Sequence, residues 1–325
     1  MLEQLQAFDS IRLNFSPASL FALNLTLAFV MFGVALEIKV EHFKKLLYNP
    51  RSAIVGFVSQ FLLLPFVTFL LVISLSKFIT PTIALGMILV AACPGGNISN
   101  FISSLSKGNV ALSVSLTAIA TMGAVVFTPL NFAIWGKLAI SFFNAHNGAA
   151  LVRPIHIDAL QMFQTVFIIL GIPIILGIFT NTKFPKFTAK IVKPIKSLSI
   201  LIFTAIVVMA LAKNFDYFML VIKYIFLIVL GHNALAFASG YFLPAILKRP
   251  MVDRKTISIE TGIQNSGLAL VLIFNPKIFP PEMELGGMAI IAAWWGIWHI
   301  IAGLFIAGIW TNFTYGIVSR KKKRA

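Results

Sequence analysis

Apolar runs of about 20 residues recur along the chain from residue 20 to residue 315, separated by short polar intervals. A run of that length crosses the hydrocarbon core of a bilayer as a helix. The pattern predicts nine such helices, at 20–38, 52–75, 81–105, 109–135, 159–181, 190–212, 217–246, 253–275 and 285–315. The third and eighth are not uniformly apolar. The third carries Cys93-Pro94-Gly95-Gly96-Asn97-Ile98-Ser99-Asn100, and the eighth carries Glu260-Thr261-Gly262-Ile263-Gln264-Asn265-Ser266-Gly267. Proline followed by two glycines ends a helix and exposes carbonyls, and Asn97, Ser99 and Asn100 are residue types that favour a helix start. The same logic holds around Gly262 and Asn265. Helix breaks are therefore expected at Pro94, Gly95, Gly96 and Gly262. Interrupted helices survive in a bilayer only where protein or a water-filled cavity surrounds them. The fold class is an all-α polytopic membrane protein.

Composition agrees, with 59% apolar residues, 11% charged residues and a mean hydropathy of +0.94. No sizeable soluble domain fits between the runs. The net charge of +16 would suit nucleic acid if it lay on one soluble face, but the basic residues fall between the apolar runs. With the N-terminus outside, the inside segments hold 19 Lys and Arg and the outside segments hold 7, the asymmetry that cytoplasmic loops require. An eight- or ten-helix count breaks this alternation. Residues 1–19 have no basic n-region or cleavage site, so the first apolar run is expected to be an uncleaved span preceded by an extracytoplasmic segment. Residues 20–315 form one transmembrane unit, and 316–325 a solvated, basic cytoplasmic tail compatible with anionic lipid. The expected location is the cell membrane. One cysteine, Cys93, excludes an intrachain disulfide.

The two interrupted helices stand five apart in order, so matched helices run in opposite directions. Pro65 and Pro244, late in helices two and seven, fit the same pairing of helices 1–4 with 6–9, leaving helix five unpaired. That is an inverted repeat, and paired interrupted helices are the usual sequence pointer to a transport site. A charge at membrane depth costs roughly 3 kcal/mol on insertion scales, so Glu260 marks function by default. Half-helix N-termini suit an anionic group, and freed carbonyls with amide and hydroxyl oxygens suit a hard cation or a proton. Kinked helices with satisfied polar groups would need no carboxylate. Ser113 and Thr117 share a helical face at i,i+4, which read alone fits backbone bonding or helix association as well as ligation. Gln60 reads equally as packing amide or ligand. His232, Asn233 and His299 read as interhelical hydrogen-bonding groups, and the five tryptophans as packing or interfacial residues. An enzyme has little to build on. The five histidines are scattered, no phosphate-binding glycine loop is present, and Ser266 beside Gly267 is not a nucleophile elbow.

At CPGGNISN (93–100) and ETGIQNSGLAL (260–270) the sequence strongly resembles the sodium/bile acid symporter family. The likeness extends over nearly the whole chain, including Gln60 before Pro65, ALSVSLTAIAT at 111–121 and Trp298-His299. The resemblance implies a core domain of helices 2–4 and 7–9 (52–135 and 217–315), with helices 3 and 8 crossing at their breaks. Helices 1, 5 and 6 (20–38 and 159–212) would form a panel domain. Bacterial relatives often carry an extra first helix, and this chain resembles the nine-helix members. The family implies a sodium-coupled symporter of an organic anion, a bile acid or smaller carboxylate, with Na⁺ as coupling ion and no other cofactor. One sodium would lie among Ser99, Asn100, Ser113, Thr117 and Glu260. A second would use Gln60, Glu260 and Gln264 with backbone oxygens near Thr261 and Ile263. Asn97, Asn265 and His299 would meet substrate. A monomer is expected. The alternatives are a proton-coupled carrier with Glu260 titrating, a channel, or a non-transporting membrane ligand sensor. A channel should show polar stripes along whole helices, whereas polarity here is confined to mid-helix patches.

Overall fold

The computed structural model of the chain describes residues 5, 17–38, 50–146, 159–213, 215–280 and 283–322. Most of the 1–19 segment lies outside the described residues. So do Arg12, Lys39, Lys44, Lys45, Arg153, Lys323 and Arg324, which contribute to the charge asymmetry. Among the described residues the architecture is all-helical. In chain order the helices are α1 (Pro17–Ala35), α2 (Pro50–Ser74), α3 (Pro81–Ala92), α4 (Ile98–Leu105), α5 (Val110–His146) and α6 (Ala159–Lys183). They continue as α7 (Pro185–Lys213), α8 (Phe215–Ile246), α9 (Met251–Gly262), α10 (Ser266–Ile273) and α11 (Gly286–Lys322). Among the described residues, five stretches are long and apolar enough to cross a membrane: α2, α5, α6, Ile222–Ile246 of α8 and Gly286–Thr311 of α11. The third and eighth predicted helices are each split, into α3/α4 and α9/α10.

The split halves match in length, 12 and 8 residues in both cases, and the helices that follow them, α5 and α11, are both 37 residues long. Proline shapes two of the unbroken helices. Residues 59–63 of α2 and 167–171 of α6 form π turns, each ending two residues before a proline, Pro65 and Pro173. Proline has no N–H and its ring crowds the carbonyl four residues back, so the helix widens there. For Pro65 that carbonyl belongs to Phe61, and it accepts a bond from Asn131 Nδ2 at 3.0 Å instead. Gln60, one of the residues singled out from sequence, lies in this widened turn.

Packing divides the helices. Helix α1 rests on α6 and α7, and Asn181 Nδ2 ties α6 to the Ile38 carbonyl just after α1 at 2.9 Å. Helix α3 is buried between α5 and α11, with Ala84 through Ala92 inside. Helix α8 lies along α9 so closely that a Cβ on Gly240 would stand 2.7 Å from the Ile257 carbonyl oxygen. Trp295 is fully buried, with its ring edge-on to His232, and Trp135 packs against Phe69.

Two sequence expectations need correction. The fourth predicted helix does not stop at 135 but runs to His146. Phe132, Gly136, Ala139 and Phe143 continue one buried face, and Lys137 points out of it. The interval left between the fifth and sixth predicted helices, 182–189, is almost wholly helical: Lys183 ends α6, and α7 starts at Pro185, so that Lys186 lies exposed on it along with Lys190 and Lys193. A long aliphatic stem lets lysine sit on a helix and still carry its charge to water.

One end of the bundle is tied by a buried carboxylate. Asp253, in the first turn of α9, accepts from Ser52 Oγ of α2 at 2.6 Å and from Asn109 Nδ2 at 2.8 Å. Asn109 Oδ1 caps α5 by accepting from Leu112 N–H at 3.1 Å, and Asn109 N–H donates to Thr256 Oγ1 at 2.7 Å. Replacing Asp253 with alanine strands the buried Ser52 hydroxyl and the half-buried Asn109 amide as donors, each a loss of about 1–3 kcal/mol. Asp253→Ala is therefore expected to be destabilised by about 3 kcal/mol or more, measured by thermal or denaturant unfolding in detergent, whereas Lys190→Ala should change little.

Candidate functional site

The site begins where α3/α4 and α9/α10 cross. At the first break Cys93 is extended, and at the second Ile263 is extended, so each strand-like segment presents N–H and C=O groups sideways. They pair with one another. Gly96 N–H donates to the Ile263 carbonyl at 2.7 Å and Asn265 N–H donates to the Pro94 carbonyl at 2.8 Å, around an antiparallel bridge of Gly95 with Gln264. The approach needs glycine, because a Cβ on Gly95 would lie 3.0 Å from Glu260 Oε2 and 3.2 Å from the Glu260 carbonyl. Other freed carbonyls receive side chains. Thr128 Oγ1 donates to Ala92 O at 2.8 Å, Gln60 Nε2 to Cys93 O at 2.9 Å, and Asn233 Nδ2 to Gly262 O at 2.7 Å. Buried backbone acceptors are expected to be paired in this way.

Glu260, two residues before the end of α9, turns its carboxylate into a cage of hydroxyls. Its Oε1 accepts from Ser99 Oγ of α4 at 2.6 Å, from Ser113 Oγ of α5, and from Thr117 Oγ1 at 3.1 Å. Thr117 Oγ1 is also 3.1 Å from Oε2, 3.3 Å from Asn100 Oδ1 and 3.0 Å from the Ser113 carbonyl, yet it has one proton to share among them. Oxygens outnumber protons here. Glu260 is 5% exposed and its hydrogen-bonding side chains are neutral hydroxyls. A buried carboxylate so placed is costly unless a positive charge joins it. Ser99, Asn100, Ser113, Thr117 and Glu260, expected together from sequence, are thus brought into contact, on three different helical segments.

A second group adjoins it. Gln60 Nε2 donates to Gln264 Oε1 at 2.9 Å, and Gln264 Nε2 donates to the Thr261 carbonyl at 2.6 Å. Thr261 Oγ1 lies 3.0 Å from Ser59 Oγ. Gln60, Thr261, Ile263 and Gln264 are therefore also neighbours of the crossing, and Thr261 O and Ile263 O each already accept one bond, leaving one lone pair apiece.

Not every expectation holds. Asn97, Ser99 and Asn100 read as helix-starting residues, but Asn97 makes no capping bond. The Ser99 hydroxyl donates to Glu260, and Asn100 Oδ1 faces Thr117. The requirements of the carboxylate outweigh those of the α4 terminus. Asn265 does cap, accepting from Leu268 N–H at 3.0 Å. Asn97 and Asn265 are half-buried beside the bridge, whereas His299 is buried on α11 with Nδ1 unpartnered, and no hydrogen bond joins it to either asparagine. His232 behaves as an interhelical group, with Nε2 2.8 Å from Thr68 Oγ1 of α2. Sequence reasoning missed Thr128, Ser59 and the carbonyl-capping role of Asn233. Their spacing from the breaks carries no local signal.

Similarity to known proteins points the same way. The model of the sodium bile acid symporter family matches residues 24–220, more than half of the chain. An uncharacterized sodium-dependent transporter of Bacillus subtilis, YocS, is 32% identical over 92% of this chain and 88% of its own length. A probable chloroplastic sodium/metabolite cotransporter of rice, BASS2, is 32% identical over 82% of this chain, which spans 62% of that protein. The bovine sodium-dependent organic anion transporter is 27% identical over 96% of this chain and 77% of its length. With its long apolar helices, its paired breaks and these relatives, the chain is a multi-pass membrane protein that belongs to the sodium bile acid symporter family.

Proposed function

We propose that the chain is a sodium-coupled secondary symporter of an organic anion, working by alternating access rather than as an enzyme. The observation that carries this reading is the Glu260 cage: one buried carboxylate, three hydroxyls and an amide oxygen gathered at the crossing of two broken helices. Sodium among Ser99, Asn100, Ser113, Thr117 and Glu260 would neutralise the carboxylate and let each hydroxyl turn its proton outward. A second sodium would draw on Gln60, Gln264, Glu260 and the remaining lone pairs of the Thr261 and Ile263 carbonyls. Both ions would lock the α3/α4 and α9/α10 crossing, since their ligands come from both sides of it. The organic anion would then meet Asn97, Asn265 and the N-terminal ends of α4 and α10, which carry partial positive charge. Sodium dependence and organic-anion transport are what the names of the bacterial and bovine relatives state of those proteins, and they support the reading here.

In the same reading the chain crosses the cell membrane nine times, N-terminus outside, with α3/α4 and α9/α10 each counted as one crossing. Helices α1, α6 and α7, which pack together, form the panel, and the remaining helices form the core. Coupling is then a difference in ion affinity between inward- and outward-facing arrangements.

Purified protein in proteoliposomes tests this. Saturable uptake of bile acids or smaller carboxylates is expected under an inward sodium gradient and not under a potassium gradient. Glu260→Ala should lower it by about 100-fold, the upper range of ordinary coupling energies. Sodium-driven uptake retained in Glu260→Ala would refute the assignment, and uptake driven by a proton gradient in potassium would replace it with proton coupling. Gly95→Ala, whose new methyl would press on the carboxylate, is expected to raise the sodium concentration for half-maximal uptake by about tenfold.

A further inference from the structure

The amides around the crossing have a forced polarity. Thr261 O accepts from Gln264 Nε2, so Gln264 must turn Oε1 toward Gln60. Cys93 O and Gln264 Oε1 are both acceptors, so Gln60 must face them with its NH₂. Its own Oε1 is then left buried without a partner. Asn233 of α8 repeats the arrangement on the other side. Gly262 O can only accept, so Asn233 turns Nδ2 to it at 2.7 Å, and Oδ1 is buried without a partner. Reversing either amide would set oxygen against oxygen. Asn233 is wholly buried and Gln60 is 4% exposed, so bulk water reaches neither.

Two chains of hydrogen bonds thus start at consecutive carbonyls of one helix break, Thr261 and Gly262, and both end in an amide oxygen with nothing to accept from. An isolated unmatched acceptor is a defect that a protein interior ordinarily avoids. Gln60 Oε1 on α2 and Asn233 Oδ1 on α8 are two such acceptors, each held by hydrogen bonds that lead back to the same break. A group that satisfied either one would be positive or carry a proton, and what each amide offers is a neutral oxygen. A hard monovalent cation matches that chemistry.

We propose that Asn233 Oδ1 is an oxygen ligand for a monovalent cation at the α9/α10 break. Its amide is anchored on Gly262 O, whose neighbours in sequence are Thr261 and Ile263, so the oxygen of the same planar group stays near the break. Asn233 therefore has two roles in one side chain: the nitrogen closes the freed carbonyl of α9 and the oxygen faces the ion. Helix α8 then takes part in ion binding directly, and ion occupancy clamps α8 to the broken helix it packs along. This rests on the sodium-coupled reading above.

The test is thermal unfolding of the full-length protein in detergent, titrated with NaCl at constant total salt made up with KCl. Stabilisation by a ligand that prefers the folded state reports its affinity without any knowledge of the organic anion. Asn233→Ala is expected to raise the sodium midpoint by about 10- to 100-fold. Asn233→Asp has no N–H for Gly262 O but adds charge to the oxygen, and should lower the midpoint. A role confined to closing the carbonyl predicts lower melting temperatures in KCl for both variants and unchanged sodium midpoints, which would overturn the proposal. Should Asn233→Ala fail to fold, Asn233→Asp alone decides, since an unchanged or raised midpoint there contradicts ligation. A wild-type protein without any sodium-specific shift would remove the sodium-coupled reading and this proposal together. A normal wild-type shift with unaltered variants removes only the role of Asn233.

Discussion

A helix that breaks inside a bilayer leaves carbonyls and amides that no lipid can satisfy, and the architecture here answers that constraint. The two breaks satisfy each other. Gly96 and Asn265 exchange backbone hydrogen bonds with Ile263 and Pro94 across the crossing, and Thr128, Gln60 and Asn233 take carbonyls that remain. Those bonds fix where α9 stops, and so where Glu260 projects. The glycines at 95 and 96 admit the close approach, and the 12- and 8-residue halves on either side place both breaks at the same depth of their helices.

Once the crossing is set, the chemistry follows from unequal numbers of protons and oxygens. The Glu260 carboxylate draws in three hydroxyls, but Thr117 and Ser113 are each offered more acceptors than they have protons. At Gln60 and Asn233 the polarity of the amides leaves oxygens over. In the proposed reading a cation would relieve both imbalances, drawing on α2, α4, α5, α8 and α9 at once. An ion bound by groups on several helices stabilises the arrangement in which they are close, which is the physical content of coupling. Substrate recognition is a separate matter, since the half-helix ends favour an anion without specifying its body.

Local chemistry was legible in the sequence. Pro94-Gly95-Gly96 and Gly262 mark their own breaks, the i,i+4 spacing of Ser113 and Thr117 puts both on one face, and Glu260 stands out as a charge in an apolar run. What depended on distant partners was not. Asn233 looks like any amide on α8, because its meaning lies in a carbonyl 29 residues away. Asn97 has the composition of a cap and does not cap, and the extension of α5 to His146 rests on a buried face that its lysine obscured. The π turn holding Gln60 is implied by Pro65 only once one asks which carbonyl that proline displaces.

The most direct measurement is equilibrium binding of radiolabelled sodium to the purified protein and to Glu260→Gln, which keeps the shape of the side chain and removes its charge. Saturable binding to the wild type that potassium does not displace, and its loss in Glu260→Gln, is the predicted result. Wild-type binding that persists undiminished in Glu260→Gln, or no sodium binding by either protein, would contradict the account.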